Sequence, residues 1–245
     1  MTITNLIVNN VVEMKIEFYK PWKNSADVKF KINKLTDQSA EVFWSMEMNL
    51  PFFMFFFKKM MTAYMQTNFL RGLMLLKNLS ETGIVNSRTK FNDKSNYNQF
   101  YVLGKKIKCN ISEMSQSIPN ELEHMQKLLS DKKINSPDFW TTLSHDHNIP
   151  KRITLFTAGF GYAKDQILCP EGYEILTIPK HLAISVDFYG PYKHIGNGWG
   201  MAVAHQRGLK MKMNKKIPPY EIYKIIPGPT VSEKDIFTQI MMPVK

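Results

Sequence analysis

The sequence predicts an α+β protein in which a β-α-β-β unit occurs twice, after an antiparallel meander and a long helix. Residues 181–227 alternate as a strand, break at Gly190-Pro191, continue at helical spacing and close with a second strand. Residues 100–178 repeat the order strand, helix, strand, strand, which indicates an internal duplication. Residues 2–48 alternate in four short runs before the helical segment begins at Leu50.

Four strands are predicted at the start of the chain, at residues 2–8, 11–19, 27–34 and 40–48. Asn9-Asn10 fits a tight hairpin turn between the first two strands. Residues 21–24, which begin with a proline, fit a looser turn between the next two. Because the connections are short, an antiparallel meander is the simplest topology.

A long helix rich in phenylalanine and methionine is predicted over residues 50–81. One stripe of it carries apolar residues at helical spacing, namely Phe69, Leu73, Leu76 and Leu79. Gly83 is placed to end the helix. The apolar run 50–57 is far shorter than the roughly 20 residues that span a bilayer. We expect its phenylalanines to pack against the preceding sheet, with a membrane-surface role as the alternative.

Three short motifs lie in this first part of the chain: Met-Thr-Ile-Thr at 1–4, Val-Phe-Trp-Ser-Met at 42–46 and Asn-Phe-Leu-Arg-Gly-Leu at 68–73. Their order resembles the second half of the polyketide-cyclase/START-like (SRPBCC) family. The family's first strand, two short helices and early strands have no counterpart here, so residues 1–83 are expected to form a partial helix-grip module. Either more sequence lies upstream, or a partner completes the module, or it is a reduced variant. Its uncovered apolar face favours a homodimer.

The mixed polar residues 84–97 are expected to be a linker. Beyond it, a strand is predicted at 100–111, a helix at 117–130, and two strands at 151–156 and 173–178. A shift of 77 residues aligns the β-α-β-β unit at 100–178 with the one that begins at residue 181. The aligned pairs are Ile107 with Ile184, Ile111 with Phe188, Ile118 with Ile195 and Leu122 with Trp199.

The second β-α-β-β unit opens with a strand whose apolar positions are Leu182, Ile184, Val186 and Phe188. After Gly190-Pro191, the apolar face of a helix is formed by Ile195, Trp199, Ala202 and Val203. In the closing strand, alternation places Glu221 and Tyr223 on one face and Tyr220 and Ile222 on the other. Glu221 is a lone carboxylate among aromatic and aliphatic neighbours.

Three motifs of this unit are His-Leu-Ala-Ile-Ser-Val-Asp-Phe-Tyr-Gly-Pro-Tyr at 181–192, Tyr-Glu-Ile-Tyr at 220–223 and Phe-Thr-Gln-Ile-Met-Met-Pro-Val-Lys at 237–245. Their order and spacing resemble the closing half of the gyrase-inhibitor-like (GyrI-like, AraC-type) effector-binding family, which supplies drug-sensing domains of bacterial multidrug regulators. The resemblance implies that residues 98–245 form one such domain. Two helices would lie side by side on one antiparallel sheet, with a ligand groove between them.

Glu221 is the central candidate for ligand binding. A carboxylate on an aromatic face can recognise a cation, and each ring adds roughly 0.5–2 kcal/mol of cation–π attraction. The resemblance implies the same role, because the family places a glutamate of this motif in its effector pocket. The alternative is a surface strand residue that pairs with Lys224. Since the net charge is +11, the charge of the ligand stays open.

Aromatic residues are expected to complete the groove, although most aromatics at such spacing belong to the core. The predicted ligand-binding residues are Glu221, Tyr223, Tyr192, Trp199, Phe188, Tyr189, Trp140 and Phe156. Phe160 and Tyr162 supply further aromatics from the first unit. Tyr192 and Tyr223 are favoured because their hydroxyls need a polar partner.

Three functions remain open at this point. The first is binding of a small hydrophobic or amphiphilic molecule, with cations among the candidate ligands, and with a sensing or sequestering outcome. The second is a small-molecule hydrolase in which burial raises the pKa of Glu221 and makes it a general acid or base, as the resemblance also allows. The third is a lipid or hydrophobic-ligand carrier acting through the START-like half.

Several other functions are disfavoured. The sequence His145-Asp146-His147 resembles part of a metal site but lacks further ligands at a convincing spacing. These are therefore expected to be loop histidines, with no metal and no cofactor.

The 32 basic and 21 acidic residues are scattered, and no helix-turn-helix or zinc-finger signature occurs, so direct nucleic-acid binding is not expected. No signal peptide or transmembrane segment is evident, which predicts a cytoplasmic protein. Cys109 and Cys169 are expected to be free thiols.

Overall fold

The computed structural model describes residues 1–19 and 23–245, which divide into two compact units between Lys77 and Asn78. The strands form two antiparallel sheets, one of four strands and one of eight. The predicted α+β fold class is therefore confirmed. The boundary between the units lies within the first α-helix, and each unit is described here by itself.

The first unit is the predicted meander, in which each strand pairs with the next along the chain. Its strands are β1 (Thr2–Ile7), β2 (Val11–Phe18), β3 (Asn24–Lys34) and β4 (Ala40–Met48). The Asn10 N–H donates to the carbonyl of Ile7 at 3.0 Å and closes the first hairpin, with Asn9 at a φ of 60°. The predicted turn at 21–24 falls partly on residues 20–22, which lie outside the described residues.

The helical segment has two parts rather than one. Phe52–Phe57 forms a 3-10 helix, and α1 follows at Lys58–Thr82. Gly83 ends α1 as predicted: its φ is 75°, and its N–H donates to the carbonyl of Leu79 at 2.9 Å. Among the described residues, no helix is long and apolar enough to cross a bilayer.

Packing in the first unit centres on Trp44 of β4. Its ring lies 4.7 Å from that of Phe30 and stacks at 4.4 Å on that of Phe69 in α1. The prediction that the phenylalanines at 52–57 pack on the sheet is wrong, because Phe52 is 91% exposed and Phe56 is 87% exposed. The cause is that α1 contacts the sheet further along, at Phe69, while the 3-10 helix carries apolar residues on all its sides.

The second unit is built on one eight-stranded antiparallel sheet with the order β5-β10-β12-β11-β7-β8-β6-β9. Its strands are β5 (Arg88–Tyr97), β6 (Phe100–Asn110), β7 (Phe139–Asn148), β8 (Ile153–Tyr162), β9 (Glu174–Ile178), β10 (His181–Tyr189), β11 (Tyr220–Ile225) and β12 (Phe237–Val244). Its helices are α2 (Met114–Ser130) and α3 (Gly196–Gly208). Each helix is preceded by a 3-10 turn, at Ile111–Glu113 and at Tyr192–His194, and a third 3-10 turn lies at Glu233–Asp235.

Both helices cover the same face of this sheet. Cross-strand partners share a face, and one register row runs through Phe188, Thr238, Tyr223, Trp140, Phe160 and Leu103. At one end of the row, Phe188 packs in the apolar cluster that includes Trp199 of α3. At the other end, Leu103 and Phe160 pack with Leu122 and Met125 of α2. The sheet centre, where β11 meets β7, therefore lies between the two helices.

The predicted duplication is present as β6-α2-β7-β8 and β10-α3-β11-β12, both within the second compact unit. Two predicted elements of the first β-α-β-β repeat are corrected. The strand β7 at Phe139–Asn148 was missed, and the strand at Glu174–Ile178 is the outer strand β9 rather than the fourth strand of the unit. In β7 the residues Thr141 and Thr142 are buried, although their polarity resembles that of a loop. Their hydroxyls are satisfied by partners across the strand.

The register of the repeat differs from the predicted shift of 77 residues. The two 3-10 turns begin at Ile111 and Tyr192, which are 81 residues apart (192 minus 111). The difference of four residues preserves the two-residue period of a strand and nearly matches one helical turn. For this reason the apolar pattern matched at the wrong shift.

The predicted linker at 84–97 is also corrected, because Arg88–Tyr97 forms β5 at one edge of the sheet. It pairs with β10 from Tyr97 opposite His181 to Arg88 opposite Tyr189. An edge strand has one neighbour and many exposed positions, so its sequence stays polar. This polarity is what made it resemble a linker.

Candidate ligand-binding site

Glu221 lies in β11, next to the centre of the eight-stranded sheet and on the face covered by the two helices. Only 8% of its surface is exposed. Tyr223 lies two positions further along β11 and therefore points to the same face. The predicted shared face of these two residues is confirmed by a hydrogen bond between their side chains.

Both oxygens of the Glu221 carboxylate accept hydrogen bonds from aromatic side chains. Nε1 of Trp199, on α3, donates to Oε1 at 2.6 Å, and the hydroxyl of Tyr223 donates to Oε2 at 2.7 Å. The Tyr223 oxygen also lies 2.8 Å from the hydroxyl of Thr142 on β7. Because a phenol has a single proton, Thr142 is the donor in that second bond. The result is a chain of polar groups from β7 through β11 to α3.

Burial raises the pKa of Glu221, and the hydrogen bonds from Tyr223 and Trp199 lower it only in part. Within the part of the chain that the structure describes, no lysine or arginine lies within ion-pair distance of this carboxylate. The alternative that Glu221 pairs with Lys224 at the surface is therefore wrong. Glu221 is buried, whereas Lys224 is exposed at a register irregularity between Tyr223 and Ile225.

Tyr192 and Trp140 extend the aromatic surroundings of Glu221. The ring of Tyr192 lies 5.6 Å from that of Tyr223, and burial together with the charge of Glu221 raises the pKa of Tyr192 above its ordinary value. Trp140 packs on Phe160 at 5.3 Å, in the apolar cluster that holds Tyr223. These residues come from the turn before α3, from β11, from β7 and from β8.

The other predicted site residues are placed elsewhere. Phe188 lies on the same face as Glu221 but is fully buried against α3. Tyr189 points to the opposite face, where it stacks on Phe237 at 4.5 Å and lies beneath the guanidinium of Arg88 at 4.3 Å. Phe156 is buried in β8 outside the cluster of Tyr223. Tyr189 and Phe156 are thus not brought to the carboxylate.

Access to Glu221 is closed in this conformation. Two surface cavities of about 330 and 230 Å³ are lined by other residues, the larger by 84–88 with Lys234 and Asp235, and the smaller by 88–90 with Tyr189. Trp199 and Tyr223 each occupy one acceptor position of the carboxylate, and one further lone pair remains on each oxygen.

His145 and His147 lie in β7 and not in a loop, which corrects the prediction. His145 Nε2 lies 2.7 Å from the hydroxyl of Thr157, and His147 Nδ1 lies 3.1 Å from that of Thr154. Burial lowers the pKa of both imidazoles. Among the described residues, no cluster of three acidic, histidine or cysteine side chains is arranged to hold a metal ion.

Comparisons with known proteins give structural similarity alone. No family model matches the chain, and no curated protein matches its sequence. The EcmrR–DNA complex is 14% identical, with 76% of this chain and 69% of that chain covered and a TM-score of 0.52. The EcmrR C-terminal domain is 15% identical, with 65% of this chain and 98% of that chain covered and a TM-score of 0.51. This chain has a fold similar to that of the EcmrR C-terminal domain.

A third structure, SAV2435 bound to tetraphenylphosphonium, is 14% identical over 64% of this chain and 94% of that chain. Its TM-score is 0.46, which lies below the level at which a shared fold is argued. The fold comparison therefore rests on the two EcmrR structures.

Proposed function

We propose that the second unit is an effector-binding domain of the gyrase-inhibitor-like type, which binds a small hydrophobic cation beside Glu221. The observation that carries this proposal is a buried carboxylate beside aromatic rings that has, within the described ranges 1–19 and 23–245, no lysine or arginine at ion-pair distance. The sequence motifs at 181–192 and 220–223 and the fold similarity to the EcmrR C-terminal domain support the same type of domain.

The chemistry of the site favours a cation. An ionised carboxylate buried without a counter-charge is costly, and this cost is the reason that burial raises the pKa of Glu221. A ligand with a positive charge and an apolar body would supply the missing counter-charge. Trp199, Tyr223 and Tyr192 would then offer ring faces to that charge. A neutral lipophile would gain the apolar contact but not the charge pairing.

The closed conformation also suggests how binding could be sensed. Trp199 belongs to α3, and its indole nitrogen is bonded to Glu221 on the sheet. A ligand that takes the place of the indole would break a bond between α3 and β11. Occupancy of the site would then change the position of α3 relative to the sheet, because a ligand shifts a protein toward the conformation that binds it better.

The other functions stay predictions. A hydrolase is favoured by one observation, the 2.7 Å bond between the Tyr223 hydroxyl and a glutamate of raised pKa, which is a plausible acid–base pair. A carrier role for residues 1–83, the START-like resemblance of that part and a homodimer also remain predictions. Direct nucleic-acid binding by this chain is not part of the proposal.

The proposal is tested by isothermal titration of three probes of similar aromatic character: tetraphenylphosphonium, triphenylphosphine oxide and tetraphenylborate. The cation should bind best, and Glu221→Gln should weaken its binding by about tenfold or more, since the variant removes the charge partner. At about 100 times its dissociation constant, the cation should stabilise the wild type by about 2.7 kcal/mol. Preference for tetraphenylborate would contradict a cation site.

Glu121→Gln is the matched control. Glu121 is also buried and accepts a 2.7 Å hydrogen bond from a tyrosine, Tyr173, but it lies on α2. Its variant should bind tetraphenylphosphonium as the wild type does. If both glutamine variants lose affinity equally, the effect is not specific to Glu221. A hydrolase would instead keep its affinity in Glu221→Gln and lose turnover.

A further inference from the structure

The 3-10 helix at Phe52–Phe57 exposes an unusual amount of aromatic surface. Phe52, Phe55 and Phe56 are 91%, 61% and 87% exposed, whereas Phe156 and Phe160 in the second unit are fully buried. The exposed rings follow one another along the chain and lie on every side of the turn. Phe53 and Phe57 are exposed as well, so five phenylalanines protrude from a six-residue segment.

The charges beside this segment are of one sign. Lys58 and Lys59 follow the last phenylalanine directly and are both exposed. Residues 48–80 carry four basic residues and no acidic residue, since Glu47 and Glu81 are the nearest carboxylates on either side. We call Phe52, Phe53, Phe55, Phe56 and Phe57 together with Lys58 and Lys59 the phenylalanine–lysine patch.

We propose that the phenylalanine–lysine patch docks on an anionic phospholipid surface. Aromatic side chains insert at the boundary between headgroups and acyl chains, and lysines next to them meet the phosphate and serine groups of the lipid. No helix in the described part of the chain is suited to cross a bilayer, so the contact is peripheral. The patch is separate from Glu221 in sequence and unit, and this inference does not depend on the proposed ligand site.

The geometry and charge favour a lipid surface over a second copy of this chain. A helix that docks in a protein groove presents apolar residues on one face, at positions three and four apart. Here the rings point in all directions, which a fluid lipid interface accommodates. In a symmetric dimer the same patch would meet itself, so the lysine pairs of both copies would lie in one interface and the patch would offer no acidic residue to balance them.

The test is sedimentation of the full chain with vesicles of phosphatidylcholine, alone or mixed with phosphatidylserine. The wild type should bind the mixed vesicles more strongly than the neutral ones, and binding should weaken as salt is added. Lys58→Gln/Lys59→Gln should lower the partition coefficient by about 30-fold at low salt, since each lysine contributes a factor of about five. Phe52→Ser/Phe56→Ser should lower it by at least about tenfold on both vesicle types.

Matched controls use exposed residues of the second unit. Leu168→Ser/Leu209→Ser removes two apolar side chains that are each about half exposed, and Lys215→Gln/Lys216→Gln removes an adjacent exposed lysine pair. Both should partition as the wild type does. Circular dichroism of each variant should be unchanged, because all these positions are at the surface.

Several results would overturn the proposal. One is the absence of wild-type binding to phosphatidylserine vesicles, and another is equal binding by Phe52→Ser/Phe56→Ser and the wild type. A third is a concentration-dependent dimer in light scattering that the phenylalanine variant makes monomeric while no vesicle binding occurs. That result would assign the patch to a second copy of the chain.

Discussion

The indole nitrogen of Trp199 lies 2.6 Å from Oε1 of Glu221, so a helix residue and a strand residue share one short hydrogen bond at the sheet centre. This bond joins α3 to β11 through the same carboxylate that Tyr223 contacts from the strand. The position of one side chain thus affects both the charge state of Glu221 and the contact between helix and sheet.

Trp199→Phe should lower the free energy of unfolding by about 1–3 kcal/mol, because it removes a donor from a buried carboxylate while keeping an aromatic ring. The measurement is urea unfolding followed by circular dichroism. The pKa of Glu221 should rise further in this variant, since one of the two bonds that lower it is lost. Trp44→Phe, whose ring packs with Phe30 and Phe69 in the first unit, is the control and should leave the pKa of Glu221 unchanged.

Glu221 should make the free energy of unfolding fall as pH rises. Its pKa in the folded state is raised above the ordinary value of 4.5. Between the pKa of the unfolded chain and that of the folded chain, the folded chain therefore binds more protons than the unfolded chain. The stabilisation is complete below the unfolded value and is lost as pH rises through the folded value. Urea unfolding of the wild type and Glu221→Gln at a series of pH values should show a difference with a slope of up to about 1.4 kcal/mol per pH unit.

Neighbouring groups do not disturb this comparison. Tyr192 and Tyr223 face Glu221, and both have pKa values raised above their ordinary value of 10.0, so they stay neutral. His145, His147 and His194 have lowered pKa values and give the opposite slope, but they are present in both proteins. A difference curve without slope would show that Glu221 titrates as it does in the unfolded chain.

Gly159→Ala should destabilise the second unit by about 1–3 kcal/mol. A Cβ atom on Gly159 of β8 would lie 2.2 Å from the carbonyl oxygen of Leu103 and 2.8 Å from Cα of Gly104, which are backbone atoms of β6. The strands would have to separate where they pair. Gly208→Ala at the end of α3 is the control, since nothing lies within 4 Å of its added methyl group. It should be neutral or slightly stabilising in thermal unfolding.

A chain truncated to the predicted boundary, residues 98–245, should associate or aggregate, whereas residues 78–245 should stay monomeric. The shorter chain lacks β5, which leaves β10 as an open edge with unpaired backbone groups. It also loses the stacking of Phe91 on His205 of α3 at 3.9 Å. Light scattering distinguishes the two outcomes, and a monomeric 98–245 chain of unchanged stability would show that β5 is dispensable.

The sequence predicts the helices and strands correctly where apolar and polar residues follow a clear period. β10, α3 and β11 follow the pattern of 181–227, and the same alternation correctly placed Glu221 and Tyr223 together. β5 and β7 were missed because their polar residues are satisfied by strand neighbours that are distant in sequence. Thr142 is an example, since its role depends on Tyr223 across the strand pair.

The structure separates two predicted site residues that are neighbours in the sequence. Phe188 and Tyr189 are adjacent in β10, so a strand directs them to opposite faces, and only one of them could face the helices. The closed state of the site was also beyond prediction. It depends on the distance between Trp199 and Glu221, which is set by the packing of α3 on the sheet.

The pairing of β5 with β10, which follows it much later in the chain, has a consequence for synthesis on the ribosome. Arg88 pairs with Tyr189, and Tyr97 pairs with His181, so β5 leaves the ribosome long before its neighbour in the sheet, β10, has been translated. The first β-α-β-β unit is complete by then, yet its preceding strand cannot join it. The nascent chain therefore carries an unpaired strand while residues 98–189 are translated, and this strand is a natural target for chaperones until β10 emerges.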